Sequence, residues 1–421
     1  MLLYNLFLLL YRIGLRIAAL FNAKAAAFLA GRREQAPRWE NLFAHEDSPI
    51  AWFHCASVGE FEQGRTLIEQ FRQRYPKYKV LLTFFSPSGY QLHQRYEHAN
   101  WVLYLPLDSP KQAQRIVALV KPAIVFFVRY EFWYYYLREL HRRNIPVILF
   151  SAVFRRQQLF FKPYGGFYRQ MLHYFREIHV QNESSRHLLA GIGVRQVHVS
   201  GDTRIDRVAY IAETAAPVSI AAHFAYGNNT IVIGSLWSED WHIIQQDVKQ
   251  LLGWCKFIIA PHEISEKLLQ RIEQDCKLFK TLRYSQVTSH LDENLYGARC
   301  LLIDNIGMLN RLYIYGNLAY VGGAFGNGLH NILEPAAFGV PVVFGNRNYS
   351  QFPEAVELLA KGGAFIIARP GEFTQIVKQL LTHKQAWQHA SEACSAYIQR
   401  NKGATKKILT SISKYLDFKQ H

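Results

Sequence analysis

Residues Leu318 to Phe344 read LAYVGGAFGNGLHNILEPAAFGVPVVF, and this stretch decides the fold. A short apolar run leads into a glycine-rich loop, then a segment from His330 to Phe338 that can form a helix, then a second apolar run. This order predicts a strand, a loop, a helix and a parallel strand, which together form a βαβ unit. Pro335 is compatible with the helix because the first helical turn needs no backbone donor there.

The loop of this unit is a candidate phosphate site. Glycine lets backbone amides approach a ligand closely, and the amino end of a helix attracts anions. Glu334 would repel a phosphate at contact distance, so we expect it to accept hydrogen bonds from sugar hydroxyls beside the phosphate. The alternative interpretation is an ordinary glycine-rich turn whose carboxylate matches the helix dipole.

The same alternation of apolar strands and amphipathic segments covers most of the chain and predicts parallel sheets with helices on both faces. We predict two doubly wound, Rossmann-like domains, residues 34–209 and 210–421, with ligands in the cleft that their strand ends face. The predicted strands are Ile50–His54, Val80–Phe84, Trp101–Leu105, Ala123–Val128, Val147–Phe150, Ile178–Val180, Val197–Val199, Ile231–Gly234, Phe257–Ile259, Leu301–Ile303, Leu318–Val321, Val342–Val343 and Ala364–Ile367.

Composition narrows the class of partner. The chain has 421 residues, a hydrophobic fraction of 50% and a formal net charge of +16, which indicates nucleic acid, an acidic membrane surface or a phosphorylated substrate. No zinc spacing, RNA-binding signature or helix-turn-helix pattern occurs, so a nucleic acid has charge alone in its favour and we expect none. Five scattered cysteines without a C-x-x-C pair indicate a reducing compartment and no disulfide framework.

The amino terminus, residues 1–33, predicts a membrane-associating helix. Leu2 to Leu10 is apolar apart from Asn5, and Arg12, Arg16 and Lys24 interrupt the segment after it. The apolar run is too short for a clean membrane span, but basic residues beside it suit a helix in an anionic membrane face. The charges come after the apolar core, whereas a signal peptide carries them before it. A buried first helix is the alternative.

Several polar clusters follow the predicted strands and would share one edge of each sheet. They are Ser57 to Glu60, Arg129 to Glu131, Gly234-Ser235, Pro261 to Glu263, Asp304 to Gly307 and Asn327 to Glu334. A row of such clusters is what a ligand cleft requires. Glu60 closes a turn of small residues after a buried strand, where it can act as a general base or simply cap a helix.

Absent motifs exclude several chemistries. There is no G-x-x-x-x-G-K-[ST], no G-x-S-x-G and no G-x-G-x-x-G in a first βαβ unit, so a P-loop kinase, an α/β-hydrolase elbow and a dinucleotide fingerprint are not indicated. No D-x-D pair occurs, and the histidines lack metal-ligand spacing. We therefore expect neither a metal nor another cofactor.

Together these motifs resemble the family of Kdo transferases, which transfer 3-deoxy-D-manno-octulosonic acid in lipopolysaccharide assembly. The resemblance covers essentially the whole chain and is most specific at Ala56 to Glu60 and at His330 to Ala336. It implies a GT-B fold, with CMP-Kdo as donor and the tetraacyldisaccharide precursor of lipid A as acceptor. It also implies attachment through the N-terminal helix to the cytoplasmic face of the inner membrane, whose anionic surface would be a partner.

Residue roles follow from the resemblance position by position. Glu60 matches the general base that takes the proton of the acceptor hydroxyl, and Glu131 is the second carboxylate on the acceptor side. Ser57 and Gly59 fall in the same acceptor-side motif as Glu60. Three segments match those that hold CMP: Pro261 and His262; Ile306, Gly307 and Met308; Asn331, Ile332, Leu333 and Glu334. Because the leaving group is a monoester, a metal clamp is less needed and the missing D-x-D is expected.

The chain departs from the family pattern at three places. Met308 replaces a residue that is usually acidic, and Leu236-Trp237 stands where Thr-His is expected. After the fifth strand, Ser151 to Arg155 replaces Asn-Ala-Arg-Leu-Ser. Arg155, Arg156 and Lys162 in this region are candidates for the acceptor's phosphates, or form a solvated charge run.

Two other functions fit the same sequence. One is another GT-B enzyme, a UDP-sugar transferase or epimerase, which would prefer UDP to CMP. The other is a non-catalytic lipid-binding protein, which would bind vesicles without nucleotide and leave Glu60 and Glu334 without a role.

Overall fold

The computed structural model describes residues 1–326 and 328–416, and the chain divides into two compact units. The first contains Met1–Arg207 and the segment from Lys402, and the second contains Val208–Asn401. Asn327, which belongs to the predicted glycine loop, lies outside the described residues.

The first unit is built on a seven-stranded parallel sheet with the order β3-β2-β1-β4-β5-β6-β7. Its central strands are buried on both faces, which is why they are continuous apolar runs. The strands are β1 Ile50–Cys55, β2 Lys79–Phe84, β3 Trp101–Tyr104, β4 Ile124–Val128, β5 Val147–Ala152, β6 Glu177–Val180 and β7 Val197–Val199.

Helices connect these strands and cover both faces of the sheet. They are α1 Leu2–Ala18, α2 Ala23–Gln35, α3 Arg38–Phe43, α4 Val58–Arg74, α5 Pro87–His93, α6 Pro110–Val120, α7 Tyr134–Arg142, α8 Gly166–Leu172, α9 Glu183–Ala190 and α10 Thr203–Thr214. The boundary between the units falls within α10.

The second unit repeats this plan with a seven-stranded sheet in the order β10-β11-β9-β8-β12-β13-β14. Its strands are β8 Thr230–Leu236, β9 Lys256–Pro261, β10 Thr281–Arg283, β11 Cys300–Leu302, β12 Leu318–Val321, β13 Val342–Gly345 and β14 Ala364–Ile367. Its helices are α11 Ser219–Ala225, α12 Ser238–Leu251, α13 Glu266–Asp275, α14 Asn294–Gly297, α15 Leu309–Leu312, α16 Leu333–Ala337, α17 Pro353–Ala360, α18 Glu372–Thr382 and α19 Lys384–Asn401.

The predicted class, two doubly wound α/β domains, is confirmed by these two parallel sheets. The βαβ unit of Leu318 to Phe344 is present as β12, α16 and β13, although α16 is only five residues long and starts at Leu333 rather than His330. Strand β10 was not predicted, because its three residues are half-buried and form no apolar run. Gly234 and Ser235 lie within β8 rather than after it, since the strand continues to Leu236 through a shift of register.

The C-terminal helix α20, Ala404–Leu416, packs in the first unit, whereas the predicted second domain extended to residue 421. Asp206 fixes its start by accepting hydrogen bonds from the backbone N–H groups of Gly403 and Thr405. Ile408 and Ile412 then join the core beneath β1 and α4. The sequence alone could not show this return, because an amphipathic helix is compatible with either sheet.

The N-terminal helix α1 docks on the first unit with one face only. Tyr4 donates to the Asp108 carboxylate at 2.6 Å, and Leu8 is buried. Most of the large apolar side chains on the rest of α1 are exposed, and Leu15 is half-buried. No single helix in the described residues is long and apolar enough to span a membrane, and the two pairs that reach this length together, α1 with α2 and α10 with α11, are bent by 115° and 79°.

Candidate functional site

Each sheet reverses its strand order once, and ligands of doubly wound folds bind at such switch points, beyond the carboxyl ends of the strands. In the first unit the reversal falls between β1 and β4, and in the second between β8 and β12. Glu60 follows β1 and Glu131 follows β4, so both predicted carboxylates flank the first switch point. His330 follows β12 and Trp237 follows β8, so both flank the second.

Glu60 lies in the first turn of α4, three residues after the N-cap Ser57. In a capping box, the serine oxygen would accept from the backbone N–H of residue 60. Here the Ser57 hydroxyl donates to the Glu60 carboxylate instead, and Ser57 makes no side-chain cap. Glu60 is half-buried. The carboxylate is thus oriented by Ser57 and is not used as a helix cap.

Two side chains contact the carboxylate oxygen Oε2 of Glu131 and fix its position. Trp133 Nε1 donates to it at 2.6 Å, and His54 Nε2 lies 3.2 Å away. His54 is fully buried, and its Nδ1 lies 2.9 Å from the hydroxyl of Thr83. Glu131 is therefore anchored by a buried network, and only 12% of its side chain is exposed.

The structure brings the two carboxylates to the same neighbourhood. Burial raises the pKa of the Cys55 thiol, and the charges of Glu60 and Glu131 raise it further. Strands β1 and β4 pair in parallel, so Glu60 and Glu131, which follow them, lie at the same edge of the sheet.

The predicted basic residues of the acceptor side lie further along the sheet. Arg155, Arg156 and Lys162 follow β5, which β4 separates from β1. Arg155 and Arg156 are exposed and Lys162 is half-buried. Within the described chain, no hydrogen bond or ion pair joins their side chains to Glu60 or Glu131.

In the second unit three aromatic rings stack at the switch point. The ring of His262 stacks on both Trp237, at 4.6 Å between centroids, and His330, at 4.2 Å, and the centroids of Trp237 and His330 are 6.1 Å apart. Trp237 Nε1 donates to His330 Nε2 at 2.7 Å. Because Nε2 accepts this bond, the neutral ring carries its proton on Nδ1. Burial and the nearby His262 lower the pKa of His330 to about 4.

The glycine loop does not present the amides of Gly322 and Gly323 to a ligand, so these two amides take no part in the predicted phosphate site. Gly323 N–H donates to the Asp240 carboxylate at 2.8 Å, and Gly322 N–H donates to the carbonyl oxygen of Gly234. A Cβ at Gly322 would lie 2.3 Å from the Ser235 carbonyl oxygen, so a side chain is excluded. The glycines permit this close approach of backbone to backbone.

Asp240 is a residue that the sequence analysis missed. It is buried, and it also accepts from Trp237 N–H at 3.1 Å and from the Tyr320 hydroxyl at 3.0 Å. Burial raises the pKa of this carboxyl. An acidic residue in the first turn of a helix is the only sequence signal, and it does not distinguish Asp240 from its exposed neighbour Glu239.

The residues predicted to hold a nucleotide at the start of α16 lie close to one another. Asn331 donates to Glu334 at 3.1 Å, and both residues are half-buried. Ile332 and Leu333 are buried, so any contact with CMP has to come from their backbone. The Glu334 charge adds to burial in raising the pKa of Tyr313, which places the carboxylate near that ring.

The remaining predicted CMP residues lie after β9 and β11. Pro261 ends β9, and His262 is exposed after it. Ile306 is 89% exposed, Gly307 has a φ of 93°, and Met308 is buried in the core beside Leu312 and Tyr313. The side chain of Met308 is therefore largely withdrawn from solvent, whereas the side chain of Ile306 and the backbone of this loop are open to a ligand. No group of three or more His, Cys, Asp or Glu side chains in the described residues is arranged to hold a metal ion.

Sequence comparison gives a consistent result over most of the chain. Residues 29–207 match the family model described as 3-Deoxy-D-manno-octulosonic-acid transferase (kdotransferase). The chain is 24% identical over 393 residues to a 3-deoxy-D-manno-octulosonic acid transferase of Chlamydophila psittaci, covering 87% of this chain and 86% of the relative. It is 27% identical over 342 residues to the enzyme of the same name from Aquifex aeolicus, covering 79% and 86%.

Structural comparison addresses the fold. The UDP-GlcNAc 2-epimerase of Neisseria meningitidis, solved with UDP-GlcNAc, superimposes with a TM-score of 0.63 at 16% identity, covering 87% of this chain and 100% of that one. The predicted GT-B type fold and the predicted similarity to the Kdo transferase family are both confirmed.

Proposed function

We propose that this chain, a relative of the Kdo transferases, moves Kdo from CMP-Kdo to the tetraacyldisaccharide precursor of lipid A in lipopolysaccharide biosynthesis. The observation that carries the proposal is Glu60. Its carboxylate lies beyond the carboxyl end of β1 at a switch point, half-buried and oriented by Ser57. It lies within residues 29–207, the part of the chain that matches the family model.

Glu60 is assigned the role of general base. The hydroxyl of the acceptor sugar attacks the anomeric carbon of Kdo while Glu60 takes its proton. The bond between that carbon and the phosphate oxygen breaks, and its electron pair leaves with CMP. Attack from the face opposite the leaving group inverts the anomeric configuration. Ser57 supports the base because its hydroxyl donates to the carboxylate and so holds it in one orientation.

Donor binding is assigned to the second unit. The backbone at Asn331 and Ile332 would meet the phosphate, and Glu334 would accept from the ribose hydroxyls. The N–H of Leu333 already donates to Asn331 Oδ1, so Leu333 would support this turn. Pro261, His262 and the loop Ile306 to Met308 would line the nucleotide. The departing phosphate is a monoester, which backbone amides stabilise without a resident metal or other cofactor.

Glu131 and the basic segment are assigned to the acceptor. Trp133 Nε1 donates to Glu131 and His54 Nε2 lies 3.2 Å from it, so this carboxylate is fixed in place and suits the positioning of sugar hydroxyls. Ser57 and Gly59 flank the base, and Arg155, Arg156 and Lys162 would meet the acceptor's phosphates. The exposed apolar side chains of α1 support attachment to the anionic cytoplasmic face of the inner membrane.

The experiment is to measure the mass of the tetraacyl acceptor after incubation with this protein, CTP, Kdo and a CMP-Kdo synthetase that supplies the labile donor. We expect a gain of one or more Kdo units. No gain beside an active control transferase would contradict the proposal. Binding of UDP in preference to CMP would then favour the UDP-sugar enzyme, and vesicle binding without nucleotide binding would favour a lipid-binding protein.

A further inference from the structure

A basic cavity of about 470 Å³ lies in the first unit, between α1, α2 and the amino end of α6. None of the residues assigned to the transfer reaction lines it. Of the fifteen residues that line it, all within the described chain, none is acidic and six are basic: Arg12, Arg16, Arg32, Arg33, Lys111 and Arg115. The cavity therefore carries a strong excess of positive charge.

Three of these cations already have partners inside the protein. Arg12 donates to the carbonyl oxygen of Asp108 at 3.2 Å, and Arg115 pairs with Glu40. Arg32 donates to the carbonyl oxygens of Leu105 and Phe85, so no carboxylate neutralises it. Burial lowers the pKa of Arg32 to about 10, and the side chain is still charged at neutral pH.

The other three cations are available to a ligand. Arg16, Arg33 and Lys111 are exposed, and their side chains make no hydrogen bond or ion pair with other described residues. They come from three different helices, so the fold gathers like charges that repel one another in the absence of an anion.

The amino end of α6 adds to the attraction for an anion. Ser109 is its N-cap and accepts from Gln112 N–H, while Pro110 occupies the first helical position. The helix is eleven residues long and directs the positive end of its dipole to the cavity. Arginine and lysine side chains beside a helix amino end form a binding environment for phosphate.

The surface beside the cavity indicates that this phosphate belongs to a lipid. Arg16 lies between Ile13 and Ile17, which are 46% and 56% exposed. The turn after α1 exposes Leu20 and Phe21 almost fully. Apolar side chains next to arginines match the interface of a bilayer, where acyl chains lie below the phosphate groups. A site for a soluble phosphate compound would leave this apolar surface without a partner.

We propose that the cavity binds the phosphate head group of an anionic phospholipid and so fixes α1 at a defined depth in the membrane surface. The site is separate from the transfer reaction, because it needs neither Glu60 nor the donor. Its occupant is a phospholipid of the bilayer and not the acceptor of the reaction.

The test compares two triple variants of the full chain. The first is Arg16→Gln, Arg33→Gln and Lys111→Gln. The control is Lys77→Gln, Arg95→Gln and Arg195→Gln, which removes the same charge from exposed positions of the same unit outside the cavity. Sedimentation with vesicles of phosphatidylcholine, with and without 30% phosphatidylglycerol, measures binding in the absence of CMP-Kdo and acceptor.

We expect the cavity variant to lose at least about tenfold in affinity for phosphatidylglycerol vesicles, and the control to lose less than about threefold. Equal losses would overturn the proposal in favour of diffuse attraction. Soluble dihexanoylphosphatidylglycerol, below its micelle concentration, should bind the parent and not the cavity variant. A competition experiment compares which compounds displace bound dihexanoylphosphatidylglycerol from the parent. If inorganic phosphate or the tetraacyl acceptor displaces it at a lower concentration than phosphatidylglycerol does, the cavity binds free phosphate or the acceptor, and the proposal of a phospholipid is wrong.

Discussion

The indole nitrogen of Trp237 lies 2.7 Å from Nε2 of His330, and the ring of His262 is stacked against both side chains. The indole N–H only donates, so this bond exists only while His330 Nε2 is unprotonated. Trp237 replaces a histidine that the family pattern predicts. In this chain it fixes the tautomer of a neighbouring histidine instead.

We expect His330 to titrate near pH 4, because burial, together with His262, lowers its pKa from 6.5 to about 4. The unfolded chain then binds the proton more tightly than the folded chain. The free energy of unfolding should therefore rise with pH between about 4 and 6.5 and level off above that range. NMR titration of the imidazole protons measures the pKa. Trp237→Phe should raise it by about one unit, and a parent value near 6.5 would contradict the assignment.

Glu60→Gln should retain the fold and CMP binding but lose about 10²- to 10⁴-fold in kcat, since an amide accepts no proton. The Ser57 hydroxyl can still donate to the amide oxygen, so the side chain keeps its position. Glu62→Gln is the matched control, because Glu62 lies on the same helix and pairs with Arg65. Its kcat should change by less than about threefold. Full activity of purified Glu60→Gln would exclude this residue as the base.

Glu131→Gln should reduce kcat less than Glu60→Gln does, by about tenfold, and should raise KM for the acceptor. The reason is that Trp133 and His54 fix Glu131 Oε2 in a buried network, which suits a carboxylate that positions the acceptor. Initial rates at varied acceptor concentration separate the two parameters. A loss in kcat as large as that of Glu60→Gln would exchange the roles of the two carboxylates.

The sequence predicts the sheets well because buried parallel strands are apolar runs. Thirteen of the fourteen strands found in residues 1–326 and 328–416 correspond to predicted strands. It also places Glu60 and Glu131 correctly at the edge of the first sheet, since each directly follows such a run. It could not show that the Gly323 N–H donates to Asp240 rather than to a phosphate, because this hydrogen bond joins residues 83 positions apart in the sequence. Nor does any local pattern show that Met308 is buried while Ile306 is exposed.

Asp240→Asn should lower the free energy of unfolding by about 2–4 kcal/mol. Three donors face this carboxylate: Trp237 N–H and Gly323 N–H on one oxygen, and the Tyr320 hydroxyl on the other. An asparagine has one oxygen and one NH₂ group in place of the two oxygens. Its NH₂ group would face either the two backbone N–H groups or the Tyr320 hydroxyl, and a buried donor there would lose its acceptor. The exposed neighbour gives the control, and Glu239→Gln should cost less than about 1 kcal/mol. Denaturant unfolding measures both, and equal effects would contradict the buried role of Asp240.

The exposed face of α1 should determine how strongly the protein binds membranes, independently of catalysis. Leu3, Phe7 and Leu10 are 82%, 59% and 59% exposed, so replacing all three by Gln leaves the docked face of Tyr4 and Leu8 intact. Partial immersion of each side chain contributes about 1 kcal/mol, and the triple variant should bind phosphatidylglycerol vesicles about 100-fold more weakly.

The matched control replaces Leu92, Leu278 and Leu291, which are 65%, 88% and 69% exposed, by Gln. Vesicle sedimentation should show little change for this control, and transfer to a detergent-dispersed acceptor should be the same for both variants within about twofold. If the α1 variant still sediments fully with the vesicles, apolar contacts of this helix do not attach the protein. The attachment would then have to come from charged residues on other surfaces. If replacing the three apolar side chains does not weaken vesicle binding, these side chains contribute nothing to the binding free energy.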